Sequence, residues 1–501
     1  MDSGRAMSPR PFSSVVLFLA AGAAAFLLFV WVGGQDFLFH TYDHWITGQA
    51  MLLSDGYLHA GFRTPLLFPV EDVRGPIGNW SPYVGFPPLF FLGLAVWRGI
   101  LGPSLATARV LFCLLTGISA ALLALIAWRI TRELWVTLLA VLIFCLAPMV
   151  LEYCSLGFCE TPALTWSLLL ILLYPSFIGS RSAGWRVGYW ALVGAGCLLS
   201  WHCFVVPVAC AATHAFLFRR DLRRNLVRYT VPVVIVGGLG VVLIAAMRYL
   251  EGHYELNGWY SFPPRWGIMD KLFFRTGWLN PRESLQFILG TANWTAAENA
   301  FVVFPLFALL ALLTVCSPPA TPGPARENPP ENGTRAFYLT ALFAFPLSWL
   351  LFMPQMNTHV FERMYWIPFI AASCAVLLRT IAQRWGKLLG ALCGAVMVMI
   401  VLARGVLNIP QRHDAEIFRN MEKDVRTFSD ADTVICMEFD DRGAWWRVGH
   451  SVVGFKRLHR AQGRKHLLVV FFHNESFDAN YRELARQPAQ EWGGYRILAP
   501  R

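Results

Sequence analysis

Long apolar runs divide most of this chain into segments of membrane-spanning length. Runs of about 17 to 25 apolar residues recur between Val15 and Leu402, and roughly 20 helical residues cross the hydrocarbon core of a bilayer. The first run is too long for a secretory signal and is followed by many more. The pattern predicts about 11 transmembrane helices, at 13–33, 105–128, 134–150, 161–178, 187–202, 203–218, 229–247, 301–316, 336–353, 364–380 and 388–403.

The basic residues predict the orientation of these helices, because Arg and Lys concentrate in short cytoplasmic loops. We therefore place on the cytoplasmic side the loops that carry Arg5 and Arg10, Arg129 and Arg132, Arg181 and Arg186, the five arginines of 219–228, and Arg379, Arg384 and Lys387. An odd number of crossings then puts the C-terminus outside. The net charge of +11 follows largely from these loops, so it indicates topology and attraction to anionic lipid, not nucleic-acid binding.

One further apolar stretch, residues 86–102, would make the number of crossings even if it crossed the membrane. We predict that it is an interfacial helix within a large first outer loop, residues 34–104. Pro87 and Pro88 begin it, where missing N–H groups cost least, and Arg98 in its middle suits an interface better than a span.

The composition supports a polytopic membrane protein, and the pattern changes near residue 404. Of the 501 residues, 56% are hydrophobic and 15% are charged, against about 25% charged in globular proteins. After 404, strand-like TVICMEF and HLLVVFFH alternate with helix-like segments. We predict a transmembrane domain at 1–403 and a small extracytoplasmic α/β domain at 404–501.

The predicted topology places the polar clusters on the outer side. Asp43 is the foremost candidate, since an acidic residue where a first membrane helix leaves the bilayer is costly unless it faces water or a partner. The same side carries Asp36 and His44 in the first outer loop, Glu160 in the second, His202 at a tight turn, and His359 and Arg363 before a late span.

These residues resemble the motifs of the GT-C polyprenyl-phosphate-sugar glycosyltransferases, especially the branch of protein O-mannosyltransferases and lipid A aminoarabinose transferases. The similarity rests on Asp43, on Ala50 and Gly56 after it, on Pro87-Pro88-Leu89, and on Glu160, and it covers residues 13 to 220 best. His44 stands where the family usually has Glu, Glu160 where Asp is commoner, and His202 where a lysine is often found. The resemblance implies a lipid-linked sugar donor and no nucleotide.

The chemistry of such a transfer assigns roles to the candidates. A carboxylate can take the proton of the acceptor, and cations can offset charge on the leaving phosphate. We interpret Asp43 as the base and Glu160 as the assisting carboxylate, although Glu160 is also a natural partner for a helix N-terminus. Arg363 and His359, four residues apart, are candidate phosphate ligands, or Arg363 is an interfacial anchor. His202 is either a phosphate ligand or a satisfied core histidine.

We expect no cofactor and no metal, because the acidic residues are scattered and no Cys or His ligand spacing occurs. Asp36, Asp43 and Glu160 could nevertheless share a divalent cation. Cys154 and Cys159 are two small apolar residues in preference to a disulfide.

The sequence therefore predicts an inverting glycosyltransferase of the cell envelope. The expected partners are a polyprenyl-phosphate sugar donor, membrane lipid and a glycan, lipid or protein acceptor, with no nucleic acid. The expected location is a bacterial inner membrane, with the site on the periplasmic face. Two alternatives stay open, a transporter or flippase and a catalytically inactive scaffold of the same fold.

Overall fold

The computed structural model describes residues 11–34, 41–70, 82–157, 159–218, 222–253, 330–352, 364–407 and five short strands after residue 433. Long helices make up the described part of the chain before residue 408. They are α1 (Pro11–Gly34), α2 (Thr41–Ala60), α3 (Leu89–Leu101), α4 (Leu105–Thr131), α5 (Leu134–Leu146), α6 (Pro148–Tyr153), α7 (Glu160–Gly179), α8 (Ala183–Leu199), α9 (His202–Leu217), α10 (Leu222–His253), α11 (Pro330–Phe352), α12 (Ile367–Trp385) and α13 (Lys387–Leu407).

The ends of these helices follow local chemistry. Ser182 caps α8 by accepting the Trp185 N–H at 3.3 Å, and Gly386, with φ of +102°, ends α12. Pro148 interrupts the span predicted at 134–150, so that α5 and α6 are two helices where the apolar run suggested one. A proline has no N–H to continue the helix before it, and it fits the first position of the next.

The bundle is organised around α4, which contacts α1, α3, α5, α7, α11 and α12. At 27 residues α4 is about 40 Å long, enough to cross a bilayer. Gly22 of α1 and Gly117 of α4 let these two helices approach closely, since a side chain at either would meet the other backbone. Such small-residue contacts are typical of helices packed in lipid.

Four of the described helical segments are long and apolar enough to span a membrane by themselves, at Leu105–Thr131, Glu160–Gly179, Asn225–Leu250 and Met364–Trp385, and shorter apolar helices flank them. Ten of the predicted spans coincide with described helices, with ends that shift by a few residues. The predicted span at 301–316 lies outside the described residues. The prediction of a helical polytopic membrane protein is confirmed.

The helix predicted in the stretch 86–102 is α3, which begins directly after Pro88. Its 13 residues reach only about 20 Å, too short to cross the membrane. Arg98 is nevertheless fully buried, at 1% exposure, because α3 packs on α2. The sequence pattern predicted an interfacial helix and gave no sign of this packing.

The described residues near the C-terminus form a five-stranded mixed sheet in the order β2-β1-β3-β5-β4. Strands β1 (Val434–Met437) and β3 (His466–Phe471) correspond to the two predicted strands, and β5 (Tyr495–Leu498) to the closing YRILA. The sequence did not indicate β2 (Val452–Gly454) or β4 (Gln490–Trp492). The helices predicted between the strands lie outside the described residues.

Candidate active site

Helix α2 packs against the loop that leads into α7. The Gly157 N–H donates to Thr47 Oγ1 at 3.2 Å, and a Cβ at Gly157 would lie 3.3 Å from Thr47 Cα and 3.4 Å from Ala50 Cβ. The loop backbone therefore lies directly on the face of α2 that Thr47 and Ala50 form. Position 43 is one turn before Thr47 on the same face, since helix residues four apart are neighbours.

The loop is also held from the other side, by α4. Thr116 of α4 donates to the Cys154 carbonyl at 3.2 Å. The side chains of Cys154 and Leu156 are buried in the main apolar core of the bundle. Neither Cys154 nor Cys159 forms a disulfide.

Glu160 begins α7 and is almost entirely buried, at 3% exposure. The Cys159 Sγ–H donates to Glu160 Oε2 at 3.3 Å. The N-terminus of α7 presents free N–H groups and a partial positive charge, which favours a carboxylate at this place. A buried carboxylate at this position is thus stabilised by the helix itself.

Tyr365 connects Glu160 to His202. Its hydroxyl donates to the Glu160 carbonyl at 3.4 Å, and its ring centroid lies 4.7 Å from that of His202. On another side of His202, the Trp349 ring is 4.0 Å away. Residues from α7, α9, α11 and the turn before α12 therefore meet at one end of the bundle.

His202 is the first residue of α9 and is 1% exposed. Its Nδ1 lies 2.8 Å from Ser200 Oγ, whereas its Nε2 is buried with no hydrogen-bond partner in the described part of the chain. Buried polar atoms are usually satisfied, so an open ring nitrogen is a position where a ligand or an ordered water can bind. The neighbouring Trp201 donates from Nε1 to the Gly85 carbonyl at 3.1 Å, which ties this turn to the segment before α3.

A buried ion pair anchors the second half of α2. Arg98 Nη2 lies 2.9 Å from Asp55 Oδ1 and 2.6 Å from the Pro103 carbonyl, while Nη1 donates to the Met51 carbonyl at 3.1 Å and to Ser54 Oγ. Burial lowers the pKa of the Arg98 guanidinium, and the nearby Asp55 carboxylate opposes that shift. This network joins α2, α3 and the turn that begins α4.

The structure thus brings Glu160 and His202 into one neighbourhood and packs the helix of Asp43 and His44 on the loop before Glu160. The side chains of Asp43 and His44 are outside the described part, as are residues Asp36, His359 and Arg363. Sequence reasoning missed Thr47 and the contacts of Tyr365 with Glu160 and His202. A threonine and an aromatic residue beside an apolar helix are too common to single out without knowledge of their distant partners.

No cluster of three or more His, Cys, Asp or Glu side chains occurs within the described ranges. Because Asp36 and the Asp43 side chain lie outside them, the expectation of a metal-free site stays a prediction.

The described helices form a polytopic membrane bundle in which α3 packs on α2. Solved structures of this architecture match nearly the whole chain. One is ArnT from Cupriavidus metallidurans bound to undecaprenyl phosphate, at a TM-score of 0.52 and 12% identity over 98% of this chain and 98% of that chain. Another is apo ArnT from the same organism, at a TM-score of 0.50 and 13% identity over 97% of this chain and 98% of that chain.

No protein-family model matches the sequence, and no curated protein matches it. At 12% to 13% identity, the likeness to ArnT shows the fold alone.

Proposed function

We propose that this protein is an inverting glycosyltransferase that moves a sugar from a polyprenyl-phosphate-linked donor to an acceptor on the extracytoplasmic side of the membrane. The observation that carries the proposal is the packing of α2, through Thr47, on the loop that leads to the buried Glu160. This packing brings α2, which carries Asp43, against the loop that precedes Glu160. The ArnT fold supports the nature of the donor, because ArnT binds undecaprenyl phosphate.

In this mechanism Asp43 acts as the general base. Its carboxylate takes the proton of the acceptor hydroxyl or amine while the acceptor atom attacks the anomeric carbon. The bond from that carbon to the phosphate oxygen breaks, and polyprenyl phosphate leaves with the bonding electrons. Attack from the face opposite the leaving group inverts the anomeric configuration, as in inverting glycosidases with the acceptor in place of water.

Glu160 assists by accepting hydrogen bonds from hydroxyl groups of the sugar or the acceptor. Its burial at the start of α7 supports this role, because a fixed carboxylate orients a ligand with little loss of entropy. The Nε2 atom of His202, which has no hydrogen-bond partner among the described residues, binds the donor phosphate. Arg363, His359, Asp36 and His44 complete the proposed substrate-binding set, with Arg363 on the phosphate because guanidinium binds it bidentately.

The wider assignment is also a proposal. Residues 1–403 form the catalytic domain and 404–501 an extracytoplasmic domain that helps select the acceptor. The protein works in a bacterial inner membrane, with the site on the periplasmic face and without a metal.

The test is transfer of radiolabelled sugar from polyprenyl-phosphate donors to a membrane extract, with purified protein in detergent. We expect Asp43→Asn to lower the rate by about 100-fold or more, since general-base catalysis contributes about 10² to 10⁴. Glu160→Gln lowers it as well. Glu133→Gln is the matched control. Glu133 precedes α5, at the end of the bundle opposite Glu160, and forms a partly exposed ion pair with Arg379 of α12.

Equal transfer by Asp43→Asn and the wild type would remove Asp43 from catalysis. Absence of transfer by the wild type with every donor would overturn the proposed function. Uptake or flipping of labelled lipid in vesicles would then separate the transporter from the inactive scaffold.

A further inference from the structure

The second outer loop touches the candidate base helix through a single described side-chain hydrogen bond. Its donor is the backbone N–H of Gly157, and its acceptor is Thr47 Oγ1 at 3.2 Å. Glu160 follows Gly157 by three residues, a reach of at most about 10 Å. Asp43 precedes Thr47 by one helical turn, about 6 Å. The bond therefore lies between the two candidate carboxylates.

The contact depends on small groups at both partners. A Cβ atom at Gly157 would lie 3.3 Å from Thr47 Cα and Cγ2 and 3.4 Å from Ala50 Cβ, so any larger residue would push the loop backbone and α2 apart by a few tenths of an ångström. Ala50 provides the flat surface next to Thr47 and is 2% exposed. The hydroxyl of Thr47 then supplies the acceptor for the Gly157 N–H.

The rest of α2 is fixed independently of this bond. The Arg98 network holds residues 51–55, and Tyr57 donates from its hydroxyl to the Leu67 carbonyl. The loop is held on α4 by Thr116. Loss of the Thr47 acceptor would therefore leave α2 and the loop each folded on its own anchors, and it would remove the hydrogen bond that sets the distance between them.

We propose that Thr47 is a positioning residue that sets the distance between the Asp43 helix and the Glu160 loop through its hydrogen bond to Gly157. This inference rests on the proposed function and assigns a role to a residue that touches neither the donor nor the reacting atoms. Productive geometry in an active site is lost with shifts of about 1 Å, so a spacer of this kind acts on kcat.

The test compares Thr47→Val, which keeps the shape and removes the acceptor, with Thr47→Ser, which keeps the acceptor and removes a methyl group. We expect kcat to fall about tenfold in Thr47→Val and to stay within about threefold of wild type in Thr47→Ser. The affinity for undecaprenyl phosphate should stay unchanged in both. Hydrogen exchange of a peptide covering residues 151–160 should be faster in Thr47→Val alone.

Wild-type kcat in Thr47→Val, or an equal loss in both variants, would overturn the inference. So would a tenfold loss of undecaprenyl phosphate affinity, which indicates general damage to the fold. If the wild type transfers no sugar, the proposed function fails, and hydrogen exchange still decides whether Thr47 fixes the loop. Equal exchange in Thr47→Val and wild type would then overturn the positioning role.

Discussion

At His202, one ring nitrogen is hydrogen-bonded and the other has no partner among the described residues. Replacement by Phe keeps a ring between Trp349 and Tyr365 and removes both nitrogens. If Nε2 binds the donor phosphate, His202→Phe should weaken binding of undecaprenyl phosphate and of the sugar-bearing donor alike. The loss should be at least about tenfold, since a hydrogen bond to a charged group is worth about 1.5 to 3 kcal/mol and 1.4 kcal/mol is a factor of ten.

The matched control for this measurement is His214→Phe. His214 is another buried histidine of α9, near its opposite end, where Nδ1 lies 2.7 Å from the Tyr229 hydroxyl. Its loss should leave both affinities unchanged. If His202→Phe weakens binding of the sugar-bearing donor alone, His202 contacts the sugar and not the phosphate. If binding of both lipids is unchanged, His202 is a core residue that does not contact the donor.

The sequence alone was enough to select Glu160 and His202 as candidate site residues, but it did not predict the residues that contact them. Glu160 stood out as a carboxylate at the start of a membrane helix, and His202 as a polar residue at a tight turn. Tyr365 meets the Glu160 carbonyl across 205 residues of sequence, and Thr47 meets Gly157 across 110. Contacts at such separations depend on how helices pack, which local periodicity does not determine.

At the scale of elements, the apolar pattern predicted the helices well because each span needs its own length of hydrocarbon-compatible residues. It predicted α3 as an interfacial helix from Arg98. The pattern did not show that α2 would supply Asp55 as a counter-charge, because the two residues lie on different helices. The sequence therefore predicted most of the long helices and left their pairing open.

The Arg98–Asp55 pair gives a prediction for the stability of the α2–α3 unit. Asp55→Asn would leave the Arg98 cation, 1% exposed, without its carboxylate. Removal of one partner of a buried pair costs about 3 to 5 kcal/mol. Because Asp55 is 27% exposed, the expected loss is smaller, about 2 kcal/mol. A thermal unfolding series in detergent should show a clear drop in Tm for Asp55→Asn.

Glu133→Gln is the control for that series. The Glu133–Arg379 pair is also short, at 3.1 Å, but its side chains are 29% and 25% exposed. Pairs that water reaches are typically worth less than about 1 kcal/mol, so its Tm should change little. Equal changes in the two variants would show that burial of Arg98 does not make its partner essential.

At the scale of the whole molecule, α7 is long and apolar enough to cross the membrane. It runs from Glu160 to Gly179, about 30 Å, so Arg181 lies a bilayer's thickness from the buried carboxylate. Arg132 ends α4 in the corresponding turn, and Lys387 begins α13 after another turn. Since basic turns stay in the cytoplasm, the Glu160 end of the bundle should be extracytoplasmic.

Reporter fusions in a bacterial host test this orientation. Alkaline phosphatase, which is active only outside the cytoplasm, should be active when fused after residue 157 and inactive after residue 182, and green fluorescent protein should give the opposite pattern. The reverse result would place the carboxylates on the cytoplasmic side and contradict a periplasmic site.

A fusion at Arg501 tests the side on which the C-terminus lies. That side depends on whether the predicted span at 301–316 crosses the membrane, because each crossing reverses the orientation of the helices after it. An active phosphatase there, together with the expected pattern at 157 and 182, requires an odd number of crossings and puts the C-terminal sheet on the same side as Glu160. An inactive one would show an even number of crossings, and the C-terminal domain would then have no access to an extracytoplasmic acceptor.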